Sequence, residues 1–113
     1  MKINIYKIPF AYYFSYTHEP FNIIKKGYVE LEKFNEEECW HLLNWSCWSD
    51  EKPENVFSDL SCCNSDIIVH NPETNIYHLA LPFGWKEFTS LESVKEWCIK
   101  QKSNGNMWPA EGD

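Results

Sequence analysis

The chain has 113 residues, 43% of them hydrophobic and 17% aromatic; that is enough apolar surface to offset the entropy of ordering, and it argues against wholesale disorder. Its net charge is −7 and all ten of its positive charges are lysine, so arginine, the usual bidentate reader of phosphate and guanine, is missing and nucleic-acid binding is disfavoured. No run approaches the ~18 uninterrupted apolar residues of a membrane span, and the length suits a single domain, expected over residues 1–105 with 106–113 as a flexible tail.

In chain order, "KINIYKIPFAYYFSY" has the β-branched and aromatic composition of a strand, with Pro9 forcing an edge, a bulge or a break. "IIKKGYVELEKF" alternates, with Tyr28, Glu30 and Glu32 on one side and Val29 and Leu31 on the other, and Gly27 marks a possible bulge. These two segments predict a first hairpin. Asn35 followed by Glu38 predicts a capped helix whose first turn, Glu36 to Glu38, suits the positive end of the helix dipole. Cys39, Leu42, Leu43 and Cys47 form its apolar stripe, with Trp40 beside it and Trp45 and Trp48 toward another flank.

"SDEKPENVFSDLSCCNS" has turn composition with a short apolar patch, Val56, Phe57 and Leu60, and no regular strand is expected there. "DIIVH" and "NIYHLAL" around "NPET" predict a second hairpin, and "LPFGW" a break. The last element is a helix capped by Thr89, with Leu91, Val94, Trp97 and Cys98 as its stripe and Gly105 as its stop. The expected fold is therefore α+β: an antiparallel sheet of two hairpins with two helices on one face, in ββα-ββα order.

The five cysteines are odd in number and follow no apolar leader, which predicts reduced thiols and a cytoplasmic protein. Their spacing, with Cys62 and Cys63 adjacent, does not match the paired cysteines of a zinc site, so no metal is expected. Cys62 or Cys63 could be combined with Asp66 and with His70 or His78 into a nucleophile and base, but nothing in the spacing fixes that geometry. Glycine-rich phosphate cradles and nucleophile elbows are absent. No catalytic residue and no cofactor are assigned, and the protein is expected not to be an enzyme.

Charge is concentrated in the middle of the chain. Residues 30–66 hold ten acids and two lysines, whereas residues 1–29 hold four lysines and one acid. Carboxylates around aromatic anchors suit the docking of a basic partner, because acids speed encounter and desolvated rings slow departure. The predicted partner-binding residues are Glu30, Glu32, Glu36, Glu37, Trp45, Trp48, Asp50, Glu51 and Glu54. In size, charge and lack of motifs the chain is similar in general character to small acidic inhibitors made by bacteria or their phages, such as toxin-immunity proteins and anti-CRISPR proteins. That similarity implies a cytoplasmic inhibitor, monomeric or weakly dimeric, blocking a toxin or a nucleic-acid-processing enzyme, with immunity the first choice and antidefence the second. Two readings from other classes stay open: a ligand-binding or enzymatic domain with a pocket lined by Tyr12, Tyr13 and Trp85, and an assembly subunit paired through Trp45 and Trp48.

Overall fold

The computed structural model describes residues 1–8, 23–47, 51–57, 67–81 and 84–103. They form β1 (Lys2–Lys7), β2 (Ile24–Glu30), α1 (Glu36–Leu43), a 3-10 turn (Trp45–Cys47), β3 (Ile67–Asn71), β4 (Ile76–Leu81), β5 (Gly84–Phe88) and α2 (Leu91–Ser103). The strands make one antiparallel sheet in the order β2-β1-β3-β4-β5. The fold is α+β, but its order is ββα-βββα rather than ββα-ββα. The expected C-terminal tail lies outside the described residues.

Alternation along the strands sends side chains to two separate cores. Ile3 and Ile5 of β1, Val29 of β2, Ile67 and Val69 of β3 and Ala80 of β4 pack with Cys39 and Leu43 of α1 and with Trp45. Ile68, Leu79 and Phe88, one residue out of phase, pack with Ile8 and with Val94 and Cys98 of α2. The helices therefore cover opposite faces, which corrects the expectation that both lie on one. The reason is in the central strand: Ile67, Ile68 and Val69 are all fully buried in succession, and a strand that is apolar on both sides requires cover on both.

The fifth strand replaces the predicted break. Gly84, at φ 145°, opens it, and Trp85 faces the α1 core while Phe88 faces the α2 core, opposite Ala80 and Tyr77 respectively. Lys86 and Glu87 between them hide the alternation from a reading based on hydrophobicity alone. The start of α2 shifts as well: Ser90, not Thr89, caps it, its Oγ accepting the Ser93 amide at 3.1 Å. Asn35 caps α1 as expected, accepting the Glu38 amide at 2.9 Å, a bond worth about 1 kcal/mol. That helix ends at Leu43, so Cys47 lies beyond it in the 3-10 turn and is exposed rather than part of the buried stripe.

Between β3 and β4 the chain reverses through Asn71 to Asn75. Asn75 takes φ 57°, a region that asparagine tolerates, and its amide donates to the Asn71 carbonyl at 2.8 Å. Residues 51–57 form a strap along the outer edge of β2. The Tyr28 amide donates to the Asn55 carbonyl at 3.1 Å, the Phe57 amide donates to the Lys26 carbonyl at 3.1 Å, and Gly27 and Val56 form an antiparallel bridge. Val56 enters the α1-side core, whereas Phe57 is 56% exposed.

Gly27 permits this contact for two reasons. Its φ is 116°, and a Cβ there would run into the Asn55 carbonyl oxygen. At Gly84, also at positive φ, a Cβ would meet nothing within 4 Å. Gly27→Ala should therefore cost about 1–3 kcal/mol in chemical unfolding, and more than Gly84→Ala, which carries only the backbone strain. Equal costs for the two variants would show that the strap does not depend on the close approach.

Candidate functional site

The acidic residues converge where β2 hands over to α1. Glu30 ends the strand, Glu32 stands in the connection, and Glu38 sits in the first turn of the helix that Asn35 caps. These three line a groove of about 500 Å³ with Leu31, Lys33, Phe34 and Asn35. All three carboxylates are on exposed residues and form no ion pair among the described residues. Two cations stand near them: Lys33 in the lining, and the Met1 ammonium, which donates to the Leu31 carbonyl at 2.8 Å. The groove thus has an apolar wall, Leu31 and Phe34, and a rim of three carboxylates, a combination suited to a side chain with an aliphatic stem and a cationic head.

Not all of the predicted docking residues belong to it. Glu36 turns back onto the sheet, where its Oε2 lies 2.7 Å from Nδ1 of His78 on β4. His78 is 8% exposed, its ring centroid is 4.5 Å from that of Phe34, and Glu36 retains 34% side-chain exposure. A hydrogen bond to a charged acceptor in this setting contributes about 1–2 kcal/mol. Glu37 is exposed, and its Oε1 accepts the Trp85 indole N–H at 3.4 Å. Both acids tie α1 to β4 and β5. Glu51 and Glu54 are exposed on the strap, where Lys52 turns its ammonium onto the carbonyls of Pro53, at 3.0 Å, and Val56, at 2.6 Å.

Trp45 is 8% exposed and belongs to the α1-side core. This corrects the expectation of an exposed ring there, and Trp45 cannot meet a partner, or a second copy of the chain, without opening that core. Trp48 and Asp50 lie outside the described residues, as do Tyr12, Tyr13, Cys62, Cys63 and Asp66. Trp85 is half-buried against the α1-side core.

The histidines do not form a catalytic pair. His70 faces the α2 side with Tyr77, its ring stacked at 4.3 Å, and its nitrogens meet Asn4 Nδ2 at 3.3 Å and Asn75 Oδ1 at 2.8 Å. Both nitrogens are engaged by neighbours within the sheet and its turn. His78 belongs to the opposite face, paired across β3–β4 with Val69 and across β4–β5 with Glu87. Among the described residues no group of three or more His, Cys, Asp or Glu side chains is placed to hold a metal, and no helix is long and apolar enough to cross a membrane.

Five of the lining residues, Leu31, Lys33, Phe34, Asn35 and Glu38, are absent from the predicted docking set; local rules place Asn35 and Glu38 in the helix cap and Leu31 in the strand pattern that ends at Phe34, and the signal for the groove is the recurrence of acids at 30, 32 and 38 around one aromatic. Cysteine chemistry also differs from expectation. Cys39 and Cys98 are free and buried, but Cys47 is in a disulfide whose other end lies outside the described residues. That corrects the expectation of uniformly reduced thiols and removes the ground on which a cytoplasmic placement stood.

Burial, followed by the Glu38 carboxylate and then Glu36, pushes the Cys39 thiol up to about 12, against a lowering from the Asn35 backbone hydrogen bond. The unfolded chain would ionise near the ordinary value of 9.0, so the contribution of Cys39 to stability is full below pH 9.0 and is lost as pH rises toward 12. Unfolding followed against pH should show this alkaline decline, and Cys39→Ala should flatten it; an unchanged slope in the variant would contradict the assignment. Non-reducing peptide mapping should find Cys47 linked, and iodoacetamide should leave Cys39 unmodified in the native protein. Comparison of the chain with protein-family models, with curated proteins and with solved structures gives no match in any of the three.

Proposed function

We propose that this chain is a non-enzymatic, acidic inhibitor that blocks a basic protein partner through the β2–α1 groove. The observation that carries the reading is the set of carboxylates on Glu30, Glu32 and Glu38, unpaired among the described residues, around the apolar wall of Leu31 and Phe34. Three carboxylates held on one concave surface raise the local density of cationic ligands and accelerate encounter, while the wall offers area for the stem of a lysine or arginine. Glu51 and Glu54 extend the acidic field along the strap, and Glu37 adds to it at the start of α1. The lack of arginine anywhere in the chain and the net charge of −7 support a protein target over nucleic acid.

Within that reading the partner is a lysine- and arginine-rich protein of the kind that handles nucleic acid. On such a target the carboxylates would occupy the positions of phosphates. A toxin-immunity protein neutralising a nuclease-type toxin is the assignment that best fits this chemistry together with the small size of the chain; an antidefence inhibitor would present the same surface to a different target.

The experiment is an affinity capture from the native host at low salt, eluted by a salt gradient, with the triple variant Glu30→Lys, Glu32→Lys, Glu38→Lys as comparison. The native chain should retain a stoichiometric basic protein that leaves at high salt, and the triple variant should lose it with the fold unchanged by circular dichroism. Reversal of Glu92 and Glu96 on α2 should leave capture intact. A partner that binds the triple variant equally well would overturn the groove as the docking surface.

A further inference from the structure

We infer that His78 is the positioning residue of the acidic groove, holding its aromatic wall and the start of α1 in place from the sheet. The inference rests on the reading of the groove as a docking surface, and it adds a group that stands beneath the groove, apart from the residues that line it.

Phe34 and Asn35 line the groove, and Glu36 follows them directly in the chain. His78 grips both ends of this short segment. Its ring packs on Phe34 with centroids 4.5 Å apart and planes tilted by 35°, and its Nδ1 lies 2.7 Å from Glu36 Oε2. The ring stands on β4, an internal strand of the sheet, so the grip is anchored to a rigid element. Around it on the same face are Glu36 from α1, the cross-strand Glu87 from β5 and the apolar Val69 from β3.

The hydrogen bonds on the connection hold its two ends. The Leu31 amide donates to the Met1 carbonyl at 3.0 Å, fixing the end of β2, and the Glu38 amide donates to Asn35 Oδ1, fixing the cap. Neither touches the Phe34 ring. Phe34 and Leu31 also rest against the α1-side core, so without His78 the wall keeps that support, but Phe34 loses its ring partner and Glu36 its donor, and the orientation of the ring beside the carboxylates is no longer fixed. A site that must present charges around an apolar wall needs such support, because small displacements loosen every contact at once.

Two substitutions separate the two halves of the grip. His78→Phe keeps a ring against Phe34 and removes the donor to Glu36; His78→Gln keeps a donor and removes the ring. The readout is nuclear magnetic resonance on labelled protein titrated with a hexa-arginine peptide, with amide shifts of residues 30–38 followed beside those of β1 and β3. In the native protein the peptide should shift residues 30–38 selectively. In His78→Gln the β1 and β3 amides should stay in place, the Phe34 ring resonances should move, and peptide affinity should fall about tenfold or more. His78→Phe should retain the Phe34 environment, lose less affinity and release the Glu36 side chain.

A folded His78→Gln protein with native Phe34 shifts and native peptide affinity would overturn the inference. Should that variant fail to fold, a His78→Phe protein with no change at Glu36 and no loss of affinity would do the same. If the native chain itself gave no shifts at residues 30–38, the docking reading would fall, while movement of Phe34 and Glu36 in the variants would still decide whether His78 positions them.

Discussion

The structure depends on a sheet whose central strand, β3, is apolar on both faces. Ile67, Ile68 and Val69 in β3 are fully buried, as are Ile3 and Ile5 in β1, and burial of such side chains contributes about 1.5–3 kcal/mol each. One helix cannot cover both sides, so α1 and α2 are recruited to opposite faces, and each brings a cysteine and an aliphatic residue to its own core. Placing α1 on one face brings its first turn beside the end of β2. The acidic groove is a consequence of that placement: the connection from β2 into α1 is only Leu31 to Asn35, so the acids that end the strand and begin the helix are forced together.

Within the run of acids from Glu30 to Glu38 the carboxylates divide by task. Glu36 and Glu37 bind back to His78 and Trp85 and so act within the fold, while Glu30, Glu32 and Glu38 face the groove. A helix start favours acids on electrostatic grounds whatever they do next, and here the same residue types serve both the helix and the surface. The apolar wall between them gives the surface something that charge alone lacks, area that can be desolvated on contact.

Much of the architecture was legible from periodicity and turn chemistry. The Asn35 cap, the hairpin around "NPET" and the stripe of Val94 and Cys98 followed from local rules, and each is present. The fifth strand was hidden because Lys86 and Glu87 interrupt its two aromatic residues, and strand propensity depends on neighbours that a linear reading does not see. The placement of the helices is not legible because a continuous apolar run of three residues fits half of a hairpin as well as a strand buried on both sides. Of the candidate site, Glu30 and Glu32 are legible from the concentration of acids in the middle of the chain. The burial of Trp45 is not legible from helix geometry, because the helix ends at Leu43 with Asn44 as its cap and Trp45 opens a 3-10 turn that places the ring in the core. The tie between Glu36 and His78 joins residues 42 apart in the chain, and no spacing rule reaches that far.

The face proposed to meet a basic partner is the β2–α1 groove. Hydrogen exchange of the chain, alone and saturated with the basic protein captured from its host, tests it most directly, because backbone protection reports where contact occurs without altering any side chain. New protection should concentrate in residues 30–38, with β5 and α2 exchanging as before. Protection centred on β5 or α2, with residues 30–38 unchanged, would contradict it.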